Sequence, residues 1–366
     1  MVLRCAVSTL KLARVKNLTR ASFVLLALAA AVTTHAQGVK WHPGHYMTLN
    51  ISGSQDARSQ IDEIANESSI KGVRLYVNWY ELEKSKGVYD FSKIDLYLNK
   101  VKSLAKPKRL IVSVRERRFG STSRTGIVPN YLLSDPIYKG GVAYQEPNDC
   151  VVARLWEPAV MDRLIALYRA LGTRYNSNPY LEGFNTGETS IGFGTDKSKW
   201  PSGFTINKVL EQYVRFARSA RSTMPQTNIF VFTNFIGGDT NMGILMQALY
   251  ESEVGAGGPS TIPNRLLSSQ KVWTGVTGAD YRGLIPFGTG VESFVFGGGH
   301  GDFTPKQVGD WAYKTLGTTH LIWIRDTYVT HSDPSQKWYT GVLPYLRTNP
   351  PTRTACPTAY GSCNTK

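Results

Sequence analysis

The chain has 366 residues, of which 42% are hydrophobic and 11% are aromatic. This composition is too apolar for a disordered chain, and the length allows one large core or two smaller ones. The 34 Gly and 18 Pro are spread among apolar runs, which excludes low-complexity and collagen-like chains, and 42 Lys and Arg against 27 Asp and Glu give a net charge of +15.

The first 36 residues have the three parts of a secretory signal peptide. Residues 1–20 carry five basic side chains and no acidic one, residues 21–32 are apolar, and small residues stand at both cleavage-determining positions, Thr34 and Ala36. We therefore expect cleavage near Ala36 and a secreted or periplasmic protein. An uncleaved signal anchor is the alternative, because the basic region is long. No later stretch approaches the roughly 20 apolar residues that span a membrane.

From residue 38 onward, short apolar runs alternate with amphipathic helical stretches. Predicted strands cover 46–49, 72–79, 109–114, 180–185, 228–235, 252–255, 286–292 and 320–325, with 272–277 competing for the sixth place. Predicted helices cover 91–106, 158–175, 209–223 and 304–316. Strands that alternate with helices indicate a parallel sheet.

Eight such units predict an α/β fold, a single (β/α)8 TIM barrel with long βα loops over residues 37–347. A doubly wound open sheet is the alternative, but no G-x-G-x-x-G motif follows an early strand.

Three cysteines follow the signal peptide, and an odd number cannot all pair within one chain. A Pro and a Gly lie between Cys356 and Cys363, so we expect a local disulfide there, within a C-terminal tail of residues 348–366. Cys150 would then be a free thiol, although its pairing with either of the others remains open. No His/Cys cluster has metal-ligand spacing, and neither a metal ion nor a cofactor is expected.

Two glutamates end predicted strands on opposite sides of the barrel. In a TIM barrel the functional groups lie at the carboxyl ends of the strands; Glu188 follows the fourth strand and Glu292 ends the seventh. Cleavage of a glycosidic bond needs such a pair, because one carboxyl protonates the leaving oxygen while the other attacks or activates water. The pattern therefore predicts a carbohydrate substrate.

Residues 72–95 resemble the second-strand region of clan A glycoside hydrolases, close to the β-galactosidase-like and cellulase-like branches. Shared features are an Arg inside the strand, a Trp, a Leu-Glu, a Gly-x-Tyr-Asp-Phe and a closing Asp. The resemblance implies a retaining mechanism with Glu292 as nucleophile and Glu188 as acid/base. It also implies substrate-binding roles for Arg74 in the second strand and for Trp323, the platform residue of the eighth.

The sequence departs from the clan at Gly187, since members usually have Asn directly before the acid/base Glu. Asn185 lies three residues before Glu188, so the usual contact with the sugar 2-hydroxyl is in doubt. Further candidates for substrate binding are Trp79, Asn185, His45, Arg115, Glu116 and His300. A structural ion pair with its Arg neighbours is the competing interpretation of Glu116, and Trp79 and Trp323 could instead cap the barrel core.

We therefore expect a secreted retaining glycoside hydrolase that acts on a polysaccharide or oligosaccharide. One alternative is a carbohydrate-binding barrel without catalysis, and another is a hydrolase of a different bond such as an ester, although no G-x-S-x-G elbow is present. Without residues 1–36 the net charge is +10, and Arg115, Arg117 and Arg118 are grouped after the third strand. These charges favour an anionic glycan, with a generally basic surface as the alternative. No nucleic acid partner is expected, and the sequence does not predict an oligomeric state.

Overall fold

Eight parallel strands close into a barrel in chain order. The computed structural model describes residues 38–50, 56–146, 149–296, 301–325 and 333–366, so the predicted signal peptide lies outside the described residues. The strands are β1 Gly44–Thr48, β2 Ile70–Asn78, β3 Arg109–Arg115, β4 Leu181–Glu188, β5 Asn228–Phe232, β6 Gly255–Gly258, β7 Phe287–Val291 and β8 His320–Ile324. The predicted (β/α)8 barrel is confirmed.

Helices surround the barrel on the outside. They are α1 Arg58–Asp62, α2 Trp79–Leu82, α3 Ser92–Lys102, α4 Asn130–Ser134, α5 Pro158–Tyr175, α6 Ile206–Thr223, α7 Asp239–Glu251, α8 Ser268–Trp273, α9 Pro305–Asp310 and α10 Leu343–Thr348. The segment 272–277, which competed for the sixth strand, is the end of α8 and the turn after it. Every helix in the described ranges is too short or too polar to cross a lipid bilayer.

Apolar side chains fill the middle of the barrel, where Tyr46, Ile111, Phe230, Phe232 and Ile322 form one buried cluster. Glycines on β6 and β7 make room for the two phenylalanines. A Cβ on Gly255 would lie 2.9 Å from the Phe230 ring, and one on Gly257 would lie 3.0 Å from the Phe232 ring. The glycines of the sixth strand, for which the sequence left two candidate segments, are therefore required by the packing.

A buried polar layer closes the barrel at the amino ends of the strands, and we call it the barrel floor. At its centre the Glu182 carboxylate accepts hydrogen bonds from the His42 N–H at 2.9 Å and the Asn228 amide at 2.9 Å, and it meets ring nitrogens of His42 at 2.7 Å and His320 at 3.1 Å. Burial alone would raise the pKa of Glu182, but the hydrogen bonds from His320 and His42 hold it far below its usual range.

The C-terminal segment, predicted as a tail, packs against the barrel floor. Cys363–Asn364 pairs in parallel with a short strand at Val39–Lys40. Tyr360 is buried against Trp41 and donates its hydroxyl to Asn228 Oδ1 at 3.0 Å. The segment is held because its aromatic side chain packs far from its neighbours in the sequence, a contact that local composition does not indicate.

The Cys356–Cys363 disulfide is present as predicted, and Cys150 is a buried free thiol whose pKa is raised to about 11 by burial.

Cys363→Ser should lower the free energy of unfolding by about 2 kcal/mol, because a short cross-linked loop restricts the unfolded chain. Urea unfolding checks this value, and Cys356→Ser should cost the same, since either change breaks one bond. Cys150 linked to another cysteine in an unreduced digest would contradict the pairing.

A three-stranded antiparallel sheet rises from the loop between β3 and α5. Its strands are Arg117–Phe119, Cys150–Ala153 and Val142–Gln145. Because this sheet directly follows the carboxyl end of β3, it builds a wall beside the mouth of the barrel.

Candidate active site

A cavity of about 1060 Å³ opens at the carboxyl ends of the strands, at the pole opposite the barrel floor. Residues from β2, β3, β4 and β5 and from the loops after β6 and β7 line it. The two glutamates predicted as a catalytic pair, Glu188 and Glu292, both line this cavity. The structure therefore brings them together in one site.

Contacts on both its side chain and its backbone hold Glu188. Its Oε2 accepts a hydrogen bond from the side-chain amide of Asn234 at 2.8 Å. Its carbonyl oxygen accepts hydrogen bonds from the Tyr213 hydroxyl at 3.3 Å and from the Arg117 guanidinium. A register shift in the pairing of β4 with β5 lies between Asn185 and Glu188. These contacts determine how the carboxyl faces the cavity.

Glu292 directly follows β7, and its Oε1 lies 3.9 Å from Arg74 Nη2. Arg74 is only 1% exposed, and its guanidinium lies over the rings of Tyr76 at 4.5 Å and Phe232 at 5.9 Å. Among the described residues, Arg74 Nε and Nη1 have no hydrogen-bond partner. A guanidinium stays charged even when buried, so a positive charge stands beside the Glu292 carboxyl.

Asn185 and Arg115, which the sequence analysis selected as substrate-binding residues, also line the cavity. Asn185 is buried, and its side-chain amide donates to the Thr186 carbonyl at 3.2 Å. Arg115 is exposed and stacks on the Tyr76 ring at 3.5 Å. The sequence thus selected four residues that line one cavity: Arg115 of β3, Asn185 and Glu188 of β4, and Glu292 directly after β7.

The ion pair with its Arg neighbours, which was the competing interpretation of Glu116, is not formed among the described residues. Glu116 is buried without a salt bridge to any described residue. Its neighbour Arg115 stacks on an aromatic ring instead, and Arg117 donates to the carbonyl oxygens of Glu188 and Ser190. Neither arginine thus forms an ion pair with the carboxyl that separates them in the sequence, although the charge of Arg117 still acts on it.

Three aromatic candidates for substrate binding, Trp79, Trp323 and His45, are buried and are not among the residues that line the cavity. Trp79 is fully buried and donates its indole N–H to Glu83 Oε2 at 3.0 Å. Trp323 donates to His45 Nδ1 at 3.1 Å, and the other ring nitrogen of His45 meets the Asn349 carbonyl at 2.8 Å.

The alternation of side chains along a strand explains why Trp323 and His45 lie outside the cavity. Side chains alternate between the two faces of a strand, and Tyr46 and Ile322 point into the barrel. Their neighbours His45 and Trp323 therefore point outward, under the helices. The remaining candidate, His300, lies outside the described residues.

Five aromatic residues that the sequence analysis missed line the cavity: Tyr76, Tyr80, Phe119, Phe232 and Phe294. Phe119 is 56% exposed and Tyr80 is 38% exposed, a large apolar surface for a protein to leave open. The alternation of Arg74, Tyr76 and Asn78 on one face of β2 was the signal that could have revealed Tyr76. Phe119 belongs to the wall sheet, whose position no local pattern indicates.

Among the described side chains, no group of three or more His, Cys, Asp or Glu could hold a metal ion.

The fold is shared with solved structures of carbohydrate-active enzymes. The catalytic domain of β-amylase from Paenibacillus polymyxa aligns with a TM-score of 0.57 and 9% identity, over 84% of this chain and 98% of that one. β-Galactosidase from Bacillus circulans sp. alkalophilus aligns with a TM-score of 0.53 and 10% identity, over 85% of this chain and 55% of that one. Endo-glycoceramidase II from Rhodococcus sp. aligns with a TM-score of 0.50 and 14% identity, over 79% of this chain and 75% of that one.

The resemblance to clan A glycoside hydrolases, predicted from residues 72–95, is therefore confirmed at the level of the fold. The chain spans little more than half of the β-galactosidase that it matches. No protein-family model matches the sequence, and no curated protein matches it.

Proposed function

We propose that this protein is a retaining glycoside hydrolase. The observation that carries the proposal is the pair of carboxylates, Glu188 and Glu292, which end β4 and β7 and line one aromatic-rich cavity. A buried guanidinium stands beside one of them, so the two carboxyls have different surroundings. Different surroundings are what a pair needs when one member must be ionised and the other protonated.

In the proposed mechanism Glu292 attacks the anomeric carbon and forms a glycosyl-enzyme, while Glu188 protonates the leaving oxygen. Glu188 then removes a proton from the water that releases the sugar. Arg74 keeps Glu292 ionised and oriented for attack. Asn234 holds Oε2 of Glu188, which leaves Oε1 to carry the proton. A retaining mechanism requires carboxyl groups about 5–5.5 Å apart.

A panel of neutral and acidic glycans, with reducing-sugar release as the readout, tests the proposal. We expect the wild-type protein to release sugar from at least one glycan, and Glu188→Gln and Glu292→Gln to release little. Binding without release by the wild-type protein would support the non-catalytic barrel instead. Activity only on an ester panel would support a hydrolase of another bond.

We further propose that the substrate is anionic. Arg115 and Arg118 line the cavity, and within the described ranges neither forms an ion pair with a carboxylate. Arg115 is stacked on Tyr76, and Arg118 donates to the Gly126 carbonyl at 2.9 Å. Two positioned guanidinium groups without acidic partners suit a carboxylate or sulfate on the glycan.

Salt should weaken this attraction. For an acidic glycan, kcat/KM should fall about tenfold between about 0.02 M and about 0.5 M NaCl, because screening shortens the range of the charges. Arg115→Ala should reduce both kcat/KM and its salt dependence. The matched control is Arg169→Ala, which removes the same charge from an exposed position on α5 and should change neither. A salt-independent kcat/KM on the true substrate would refute the charge steering.

We also propose that the protein is exported and processed near Ala36. The disulfide supports this, since such bonds persist in oxidising compartments. N-terminal sequencing of the protein recovered outside the cytoplasm tests it, and a mature chain that starts at Met1 would contradict it.

A further inference from the structure

A buried carboxyl lies directly behind the candidate acid/base. Glu116 follows β3, and its Oε2 accepts a hydrogen bond at 3.1 Å from the N–H of Gly187, the residue before Glu188. A Cβ on Gly187 would lie 2.1 Å from Glu116 Oε1 and 2.5 Å from Oε2. The carboxyl of Glu116 therefore occupies the space that any side chain at position 187 would need.

This contact explains why glycine stands at 187. The backbone there is not in the left-handed region, so an ordinary residue could adopt it. What excludes a side chain is the Glu116 carboxyl, which cannot move aside easily because Glu116 is only 2% exposed. The departure from the clan's pattern at Gly187 and the burial of Glu116 are one structural feature.

Stability alone does not account for this carboxyl. Burial raises the pKa of Glu116 to about 7, against the opposing charge of Arg117. Its Oε1 has no hydrogen-bond partner among the described residues. A buried polar atom without a partner costs free energy, and glutamine or a smaller apolar residue would avoid part of that cost.

The segment after β3 holds the backbone on both sides of Glu188. Glu116 accepts from the peptide N–H that precedes Glu188, and the adjacent Arg117 donates to the carbonyl oxygen of Glu188 itself. Two consecutive residues thus fix the peptide groups that flank the acid/base, and Glu188 in turn contributes to the electrostatic environment of Glu116.

We infer that Glu116 is a positioning residue for Glu188: it fixes the backbone that aims the acid/base carboxyl and places a second ionisable carboxyl behind it. The inference rests on the proposed function, in which Glu188 donates the proton. Two carboxylates at close range disfavour simultaneous ionisation. Above its pKa, ionised Glu116 therefore adds a negative charge behind the acid/base.

The pH profile of Glu116→Gln tests the electrostatic part. Glutamine keeps the size of the side chain and an oxygen that accepts the Gly187 N–H, but it cannot ionise. The kcat/KM profiles of wild type and variant should coincide below about pH 6, and above pH 7 the variant should lose activity about 0.5 to 1 pH unit earlier. The control is Glu157→Gln, a buried carboxyl paired with Lys139 at 2.8 Å and outside the cavity, whose profile should match the wild type.

Leaving-group dependence of Glu116→Ala tests the positioning part. This variant should lose about 100-fold in kcat on a glycoside with a poor leaving group, with little change in KM, because a misplaced acid donates its proton badly. On an activated aryl glycoside, which needs no proton, the loss should be a few-fold at most. A change that merely loosens the fold would lower both rates alike.

The outcomes separate this inference from the proposed function. If the wild-type protein is active, an unshifted alkaline limb in Glu116→Gln together with equal losses on both substrates in Glu116→Ala overturns the positioning role alone. A wild-type protein inactive on every glycoside removes the proposed function and this inference together. Circular dichroism of each variant shows whether it folds, and Glu116→Gln carries the test if Glu116→Ala does not.

Discussion

Glu292→Ala should abolish turnover while the protein remains folded. In the proposed mechanism the variant lacks its nucleophile and cannot form the glycosyl-enzyme, so we expect kcat to fall by at least about 10⁴-fold. Azide should restore part of the activity on an activated glycoside, because it fits the space left by the carboxylate and attacks from the same side. The product would be a glycosyl azide of inverted anomeric configuration, which NMR identifies.

Glu188→Ala is the matched comparison, since it removes the same group from the other side of the cavity. It should retain activity on substrates with a good leaving group and lose it on natural glycosides, because only the latter need a proton. Full activity in either variant would reject the assignment. So would an inverted product from the wild-type protein, since inversion indicates that Glu292 activates water and does not attack.

Glu182→Ala should be the most destabilising single change in the barrel floor, by about 3–5 kcal/mol. The alanine would leave His42, His320 and the Asn228 amide buried without their common acceptor. Urea unfolding at pH 7 measures the loss. The control is Glu67→Ala, whose carboxylate pairs with the exposed Arg347 and should cost about 0–1 kcal/mol.

The Glu182 carboxylate also makes the stability of the protein depend on pH. The folded-state pKa of Glu182 lies below its ordinary value of 4.5, so its stabilising contribution is complete above that pH and is lost as the pH falls below it. The difference in unfolding free energy between wild type and Glu182→Gln should therefore shrink between pH 5 and pH 3. A difference that stays constant over this range would show that the ionised carboxylate is not the stabilising form.

The strands and the two glutamates of the cavity could be predicted because their positions depend on local patterns. Alternating apolar runs located the strands to within a few residues, and in a parallel barrel the residue that ends a strand must face the mouth. That rule selected Glu188 and Glu292 without knowledge of any contact. The same alternation, counted from Ile322 or Tyr46, would have turned Trp323 and His45 away from the cavity.

The positions of Glu116 and Tyr360 could not be predicted, because they depend on contacts between residues distant in the chain. The position of Glu116 follows from the irregular pairing of β4 and from the backbone path after β3, which no spacing in the sequence encodes. Tyr360 is buried by Trp41, more than 300 residues away in the chain. Neither contact has a period, a motif or a flanking turn that could be recognised before the chain is folded.

The parallel pairing of Cys363–Asn364 with Val39–Lys40 has a practical consequence. It directs the last residues of the chain to the pole away from the cavity, and the disulfide pins them there. A linker joined to Lys366 would therefore tether the protein to a bead or a sensor chip with the mouth of the barrel facing the flowing solution. On the proposed function, the protein immobilised in this way should bind a long glycan as well as it does when free, whereas attachment through Arg118 or Phe119, which line the cavity, would block its entry.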